Sequence, residues 1–270
     1  MDEKRKSKIM RAISQFIKTE VSKRGSKGVV IGRSGGIDSS VAACLAVNAL
    51  GTEKVFGLIL PDSSVTPEDD TEDAENLAKK LKIKYKVIEV GKTRNQFLRK
   101  FPKNKLARAN FLVRLRMSIL YYYAAVMNRL VLGTGNKSEL RLGYFTKYGD
   151  AAVDLMPIGD LYKSEVREPA DFLQIPSNIT TKKSSARLWK DQTTEGEIGL
   201  AYEKIDSILK QIDKSGKQKR NTNHLGYLAI PLTTLKKYRL GNGQKDVQRL
   251  LDLIDKSEHK LAPPPICRIR

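Results

Sequence analysis

Apolar residues along the first half of the chain alternate between two rhythms. Over residues 5–24 they fall at Ile9, Ile13, Phe16, Ile17 and Val21, the spacing of one helix face. Gly28 to Ile31 is a short, continuously apolar run and predicts a buried strand. Residues 37–50 predict a helix with an almost wholly apolar body. Val55 to Leu60 predicts a second strand, closed by Pro61. At Thr66-Pro67 a hydroxyl precedes a proline, which predicts a helix with a capping side chain and proline at its first position. Its first turns, Glu68 to Asp73, are acidic and complement the helix dipole. Tyr85 to Val90 predicts a third strand and Phe111 to Met127 a long apolar helix. Leu130 to Leu132 predicts a fourth strand, and Asp154 to Met156 a fifth.

Strands alternating with helices imply parallel strands joined by right-handed crossovers. Short, wholly apolar strands suit a sheet covered on both faces. The expected fold is therefore α/β, a doubly wound parallel sheet flanked by helices. The second half is patterned more weakly, with helices expected near 163–173, 195–213 and 244–258. Residues 214–224, KSGKQKRNTNH, are polar and basic and predict a surface loop. We expect one domain over 1–270, with its core in 25–175 and a helical and loop C-terminal part over 176–270.

Composition narrows the class. Of 270 residues, 40% are hydrophobic and 30% charged, as in a soluble globular protein. No apolar run reaches the roughly 18–20 residues of a membrane span. The N-terminus has charges without an apolar centre, so no signal peptide is expected. Cys44 and Cys267 are too few for a disulfide framework or a zinc knuckle, which points to a reducing, cytoplasmic setting. A metal would have to be a hard ion with oxygen ligands. The net charge of +20 invites a nucleic-acid partner. The lysines are scattered from Lys4 to Lys260, however, which favours a basic surface on a protein with polyanionic small-molecule substrates.

The candidate chemistry starts at VVIGRSGGIDSS, Val29 to Ser40. A glycine-rich turn from strand to helix presents backbone N–H groups and a helix dipole to a phosphate. Neither the lysine of a P-loop nor the spacing of a dinucleotide fingerprint is present. Asp38 would repel bound phosphates, and Mg²⁺ between them is the simplest remedy. Glu139, after the fourth strand in GTGNKSE, sits at the same sheet edge and could share that ion; Thr134 lies on this edge too. GYFTKYGD, Gly143 to Asp150, interleaves aromatics with Lys147, a pattern that can stack a flat ring and meet a phosphate. Arg114 and Arg116 lie on different faces of their helix, so at least one is expected to be buried or at an interface and to need an anion.

Together these residues resemble one family. SGGIDSS resembles the pyrophosphate-binding motif of ATP pyrophosphatases that adenylylate a carboxylate or a nucleobase. GTGNKSE, GYFTKYGD, LWKDQTTEGEIGLAYEKID and EHKLAPPP, in that order, resemble NAD synthetases, specifically the ammonia-dependent form. The resemblance runs from about Val29 to Pro265. Only some 25 residues precede the first strand, too few for the amidase domain of glutamine-dependent members.

The resemblance implies a Rossmann-like fold of ATP pyrophosphatase type. It also implies a ligase that amidates deamido-NAD to NAD with ATP and ammonia through an adenylylated intermediate, releasing AMP and pyrophosphate. By the same resemblance, Gly32, Arg33, Ser34, Gly35, Gly36, Ile37, Asp38, Ser39, Thr134, Lys163 and Ser185 would bind ATP. Asp38 and Glu139 would ligate Mg²⁺. Arg114, Lys147, Asp154, His259 and Lys260 would bind deamido-NAD. Asp38, Asp150 and Lys163 would be catalytic, with Asp150 at the ammonia site, and Tyr144, Phe145 and Tyr148 would shape the nicotinate pocket. A homodimer with the dinucleotide at its interface is implied as well, with no membrane and no nucleic acid as partner. Arg33 departs from the small or apolar residue usual there, Leu112 from a lysine, and Ala151-Ala152 from a glycine pair. Two rivals stand beside this reading. One is another ATP pyrophosphatase acting on tRNA or a nucleotide base, and the other is a basic RNA-binding protein on an α/β scaffold.

Overall fold

A computed structural model describes residues 3–215 and 244–269. The elements are α1 (Glu3–Lys23), β1 (Val29–Gly32), α2 (Ile37–Leu50), β2 (Val55–Ile59), α3 (Glu68–Lys80), β3 (Lys84–Val87), α4 (Gly91–Leu98) and α5 (Lys105–Met127). They continue with β4 (Leu130–Leu132), α6 (Lys137–Leu142), α7 (Lys163–Arg167), α8 (Ser177–Thr180), α9 (Thr194–Ile198), α10 (Tyr202–Ser215) and a last helix, Gln244–Leu261.

The four strands lie in the order β3-β2-β1-β4, and every pairing is parallel. The doubly wound α/β class expected from the sequence is the one observed. β1 is central, and its alternate residues serve both faces. Val29 and Ile31 join the core under α1 and α2, while Val30 joins Leu58, Leu112 and Val131 under α5. Burial on both sides explains why β1 has no polar position before its end. α2 sits between α1 and the sheet, which accounts for its apolar body. Because the strands are parallel, the ends of β1, β2 and β4 share one edge, where ligands bind in such sheets.

The structure departs from the sequence expectations at identifiable points. The fifth strand reduces to a single parallel bridge, Leu132 with Leu155. There the Asp154 carboxylate accepts the Val131 N–H at 2.7 Å, and Pro157 stops further pairing. Pro67 occupies the N-cap position of α3, and Thr66 does not cap it; its Oγ1 accepts from the Asp62 N–H at 3.1 Å. α4 was not expected. It is held by Glu89, whose carboxylate accepts the N–H groups of Gly91 and Lys92 at 2.9 and 3.1 Å. α5 begins earlier, at Lys105, where the Asn104 side chain accepts from Ala107 N–H. The helix expected over 163–173 ends at Arg167, shortly before Pro169. The one over 195–213 breaks at Gly199, which takes a left-handed φ of 77°. The loop over 214–224 lies outside the described residues, apart from the two that close α10.

Candidate active site

A cavity of about 280 Å³ opens at the shared strand edge. One ordered water needs only roughly 10–15 Å³, so this space suits a polyatomic ligand. Its lining includes Gly32, Arg33, Ser34, Gly36, Ile37, Asp38 and Ser39, then Thr134 and Glu139, then Asp150, Lys163 and Ser185. Residues expected at ATP, metal and ammonia thus meet in one place from five separate segments.

The loop after β1 is shaped by a glycine. Gly35 has φ of +73°, and a Cβ there would stand 2.1 Å from the Asp70 carbonyl oxygen at the start of α3. No other residue tolerates both constraints. The serines line the loop from within. Ser34 N–H donates to Ser39 Oγ at 3.3 Å, Gly36 N–H donates to Ser34 Oγ at 3.3 Å, and the two hydroxyls lie 3.2 Å apart. These amides have weak local acceptors that a phosphate oxygen would replace.

Arg33 is among the residues that line the cavity, but its polar groups are engaged or buried in an unexpected way. Its N–H donates to Leu58 O at 2.7 Å, extending the β1–β2 ladder. Its side chain packs beside Gly57, near Cys44; the residue is 3% exposed and none of its three side-chain nitrogens has a hydrogen-bond partner. Burial lowers its pKa to about 10, against a small opposing effect of Cys44.

Asp38 stands in the first turn of α2 and engages two groups. Lys163 Nζ forms a close ion pair with Oδ2, and Asn136 Nδ2 donates to Oδ1 at 3.1 Å. The Lys163 side chain is 2% exposed, and its ammonium also faces the Tyr202 ring at 5.5 Å. Asn136 caps α6 in a reciprocal box. Its side chain accepts the Glu139 N–H at 3.0 Å, and Glu139 Oε2 accepts the Asn136 N–H at 3.1 Å. One asparagine therefore ties both expected metal ligands together. Burial, then the nearby Asp38 charge, raises the Glu139 pKa to about 8, against the pull of Lys163. Two carboxylates that repel each other across a cavity fit a divalent cation. Among the described residues no group of three or more His, Cys, Asp or Glu side chains is placed to hold a metal. A pair of carboxylates is a ligand set that Mg²⁺ commonly takes, completing its shell from water and substrate phosphates.

Lys163 is positioned by a buried polar chain absent from the sequence reading. Its N–H donates to Ser138 Oγ at 3.0 Å, Ser138 Oγ donates to Asp206 at 2.5 Å, and Asp206 accepts the Ser164 N–H at 2.8 Å. This chain pins α6, α7 and α10 to one another. Sequence offered no local sign of it, since Ser138 and Asp206 are 68 residues apart. Asn136 did have one, the N-x-x-E spacing of a capping box.

Asp150 is open to the cavity. Its Oδ1 accepts the Thr146 N–H at 2.8 Å, and crowding by protein atoms raises its pKa, opposed by that hydrogen bond and by Lys260 and Arg116. Tyr144 and Phe145 line the cavity, whereas Tyr148 is 55% exposed outside it, beneath Lys147.

The residues expected at deamido-NAD are stitched together beside the cavity and are not in its lining. Arg114 donates from Nε and Nη2 to Lys147 O at 3.2 and 3.1 Å. Lys147 Nζ donates to His259 O at 2.5 Å, and Lys260 Nζ donates to Gly143 O and Phe145 O at 2.7 and 3.0 Å. The last helix thereby holds the 143–150 loop. Asp154 stands apart from this group and is engaged with Val131 N–H and the Tyr121 hydroxyl.

Comparison with known proteins agrees with this geometry. The model of the family described as NAD synthase matches residues 9–264. An NH(3)-dependent NAD(+) synthetase of Archaeoglobus fulgidus is 46% identical over 264 residues, covering 97% of each chain. Among solved structures, NMN synthetase from Francisella tularensis is 33% identical with a TM-score of 0.81, covering 98% of this chain and 99% of its own. The NH3-dependent NAD synthetase from Campylobacter jejuni is 33% identical with a TM-score of 0.77, covering 99% and 100%.

Proposed function

Because the chain belongs to the NAD synthase family, we propose that Asp38, Glu139, Lys163 and Asp150 carry its reaction at the cavity on the strand edge. That reaction is the amidation of deamido-NAD to NAD with ATP and ammonia, a ligase activity. The observation that carries the assignment is the convergence of Asp38, Asn136, Glu139 and Lys163 beside the phosphate-shaped loop.

Charge decides each role. In the first step a nicotinate carboxylate oxygen attacks the α-phosphorus of ATP. The bond from that phosphorus to the β-phosphate bridging oxygen breaks, and pyrophosphate leaves with the electron pair. The amides of residues 34–39 and the α2 N-terminus stabilise the charge gathering on pyrophosphate. Lys163 is held by Asp38 and the Ser138–Asp206 chain at this point, ready to meet a phosphate oxygen. Asp38 and Glu139 would hold Mg²⁺, which supplies neutralisation of phosphate charge when bound. In the second step ammonia attacks the acyl carbon and AMP departs. Ammonium is the abundant form near neutral pH, so a base is needed. Asp150, open to the cavity and with a raised pKa, takes that proton. Tyr144 and Phe145 give the nicotinate ring an aromatic wall.

The linked group of Arg114, Lys147, His259 and Lys260 is the deamido-NAD side of the site in this reading. Phe97, Phe101, Leu106, Tyr122 and Val126, exposed on α4, α5 and their connection, are the homodimer surface. A cytoplasmic setting belongs to the same reading, supported by a chain with only two cysteines.

The test is pyrophosphate release by the purified chain with ATP and Mg²⁺, with deamido-NAD and ammonia withheld in turn. Release is expected only with the dinucleotide, and NAD only with ammonia as well. Nicotinate mononucleotide is the control acceptor, given the likeness to an NMN synthetase. Faster turnover of the mononucleotide would move the substrate assignment.

A further inference from the structure

The cavity contains a cation, Arg116, that forms no salt bridge with any carboxylate among the described residues. Arg116 lies two residues after Arg114 on α5, and the helix turns the two apart. Arg114 is exposed and bound to the 143–150 loop, whereas Arg116 lines the cavity. Its Nε donates to Leu60 O at 3.0 Å, just past the end of β2, which fixes the guanidinium plane. Its Nη2 has only Thr66 Oγ1, at 3.5 Å, the outer limit of a hydrogen bond. No ion pair forms to it among the described residues. Asp62, on the same side, is engaged by Arg94 Nη1 at 2.6 Å. Burial lowers the Arg116 pKa to about 10, with Asp62 opposing, so the group stays charged at neutral pH.

A fixed, charged fork that faces a ligand space is suited to an oxyanion. The adenylylation step brings two oxyanions together, the nicotinate carboxylate and the α-phosphate that it attacks. Asp150, the proposed proton acceptor for the second step, lines the same cavity as Arg116. We propose that Arg116 binds the oxyanion at the reacting centre, holding the substrate carboxylate or the α-phosphate while adenylylation proceeds. The proposal rests on the activity assigned above. The competing role is structural, a pin between the Leu60 carbonyl and α5.

Exchange of labelled pyrophosphate into ATP isolates the first step, because it needs deamido-NAD and Mg²⁺ but no ammonia. R116M is expected to lower the exchange rate roughly 10²-fold or more, the usual effect of losing one oxyanion donor. R116K keeps the charge but not the fork and is expected at an intermediate rate. If the carboxylate is the ligand, half-saturation by deamido-NAD rises about 10-fold or more while that of ATP holds. If the α-phosphate is the ligand, only the maximum rate falls. R116M exchanging within about 3-fold of wild type overturns the proposal. So does equal loss in R116K and R116M that tracks a drop in melting temperature, the mark of a structural pin. Should R116M fail to accumulate folded, R116K decides alone, and wild-type rate with both half-saturations unchanged overturns the proposal. A wild type that shows no exchange refutes the activity itself, which is a separate result.

Discussion

Lys163 closes on Asp38 across 125 residues of sequence, and the pair is unequal: the lysine side chain is 2% exposed and the aspartate 19%. The lysine therefore depends on the aspartate more than the reverse. Asp38→Asn is expected to cut turnover by about 10²-fold or more, because a charged contact at the reacting phosphates is lost. It is also expected to cost about 3 kcal/mol, the low end for stranding one partner of a buried ion pair. Asp38→Asn/Lys163→Met is expected to recover most of that stability and none of the activity. Urea unfolding of the two single variants and the double closes the cycle.

Glu139 is expected to make stability fall as pH rises. Burial and Asp38 lift its folded pKa to about 8, above the ordinary carboxylate value. Between those values the folded chain retains a proton that the unfolded chain has lost. The stabilisation is therefore complete at acid pH and disappears as pH climbs through about 8. Glu139→Gln keeps the Asn136 hydrogen bond and removes the titration. Without divalent ions, the two proteins are expected to melt together near pH 4.5, with the variant increasingly the more stable up to pH 8 and above. Mg²⁺ at pH 8.5 is expected to raise the melting temperature of wild type and not of Glu139→Gln.

Gly35→Ala addresses the loop itself. The new methyl would stand 2.1 Å from Asp70 O at a φ of +73°, so the loop must move off α3. A stability loss above about 1 kcal/mol is expected, with a several-fold rise in half-saturation by ATP. Gly25→Ala provides the contrast. Gly25 has a similar φ of +59° with nothing within 4 Å, so its cost is the backbone strain alone, and ATP binding is unchanged. Melting curves and ATP titrations of the two variants separate clash from strain.

How far the sequence carried depended on the range of each signal. β1, α2 and β2 were legible because burial on both faces makes each one a continuous apolar run. The meeting of Asp38 and Glu139 at one cavity was legible because each follows a strand end, and parallel strands bring such ends to one edge. The separation of Arg114 from Arg116 followed from helix phase alone. Beyond residue 150 the helices are often four or five residues long, too short for a period to register. The partners of Lys163 were hidden for another reason: Ser138 and Asp206 meet only after three helices have packed. Tyr148 looked like part of an aromatic wall by spacing, but its left-handed φ of 58° turns the chain there and leaves the ring outside.

Arg33 yields the last expectation. Its backbone N–H is used by the sheet and its guanidinium is packed away from water without one hydrogen bond. Arg33 borders the cavity, yet its N–H is taken by the sheet and its guanidinium brings a desolvated charge with no hydrogen-bond partner among the described residues. Desolvating a charge without a partner is costly, and an apolar side chain of similar length removes that cost. Arg33→Met is therefore expected to raise stability by about 1–3 kcal/mol. Half-saturation by ATP is expected to change by less than about 3-fold, because the ladder bond to Leu58 is a backbone one and survives. Thermal melting with ATP titration reads both. A lower melting temperature would mean that the guanidinium has an anion in solution, and weaker ATP binding beside it would identify that anion as the nucleotide.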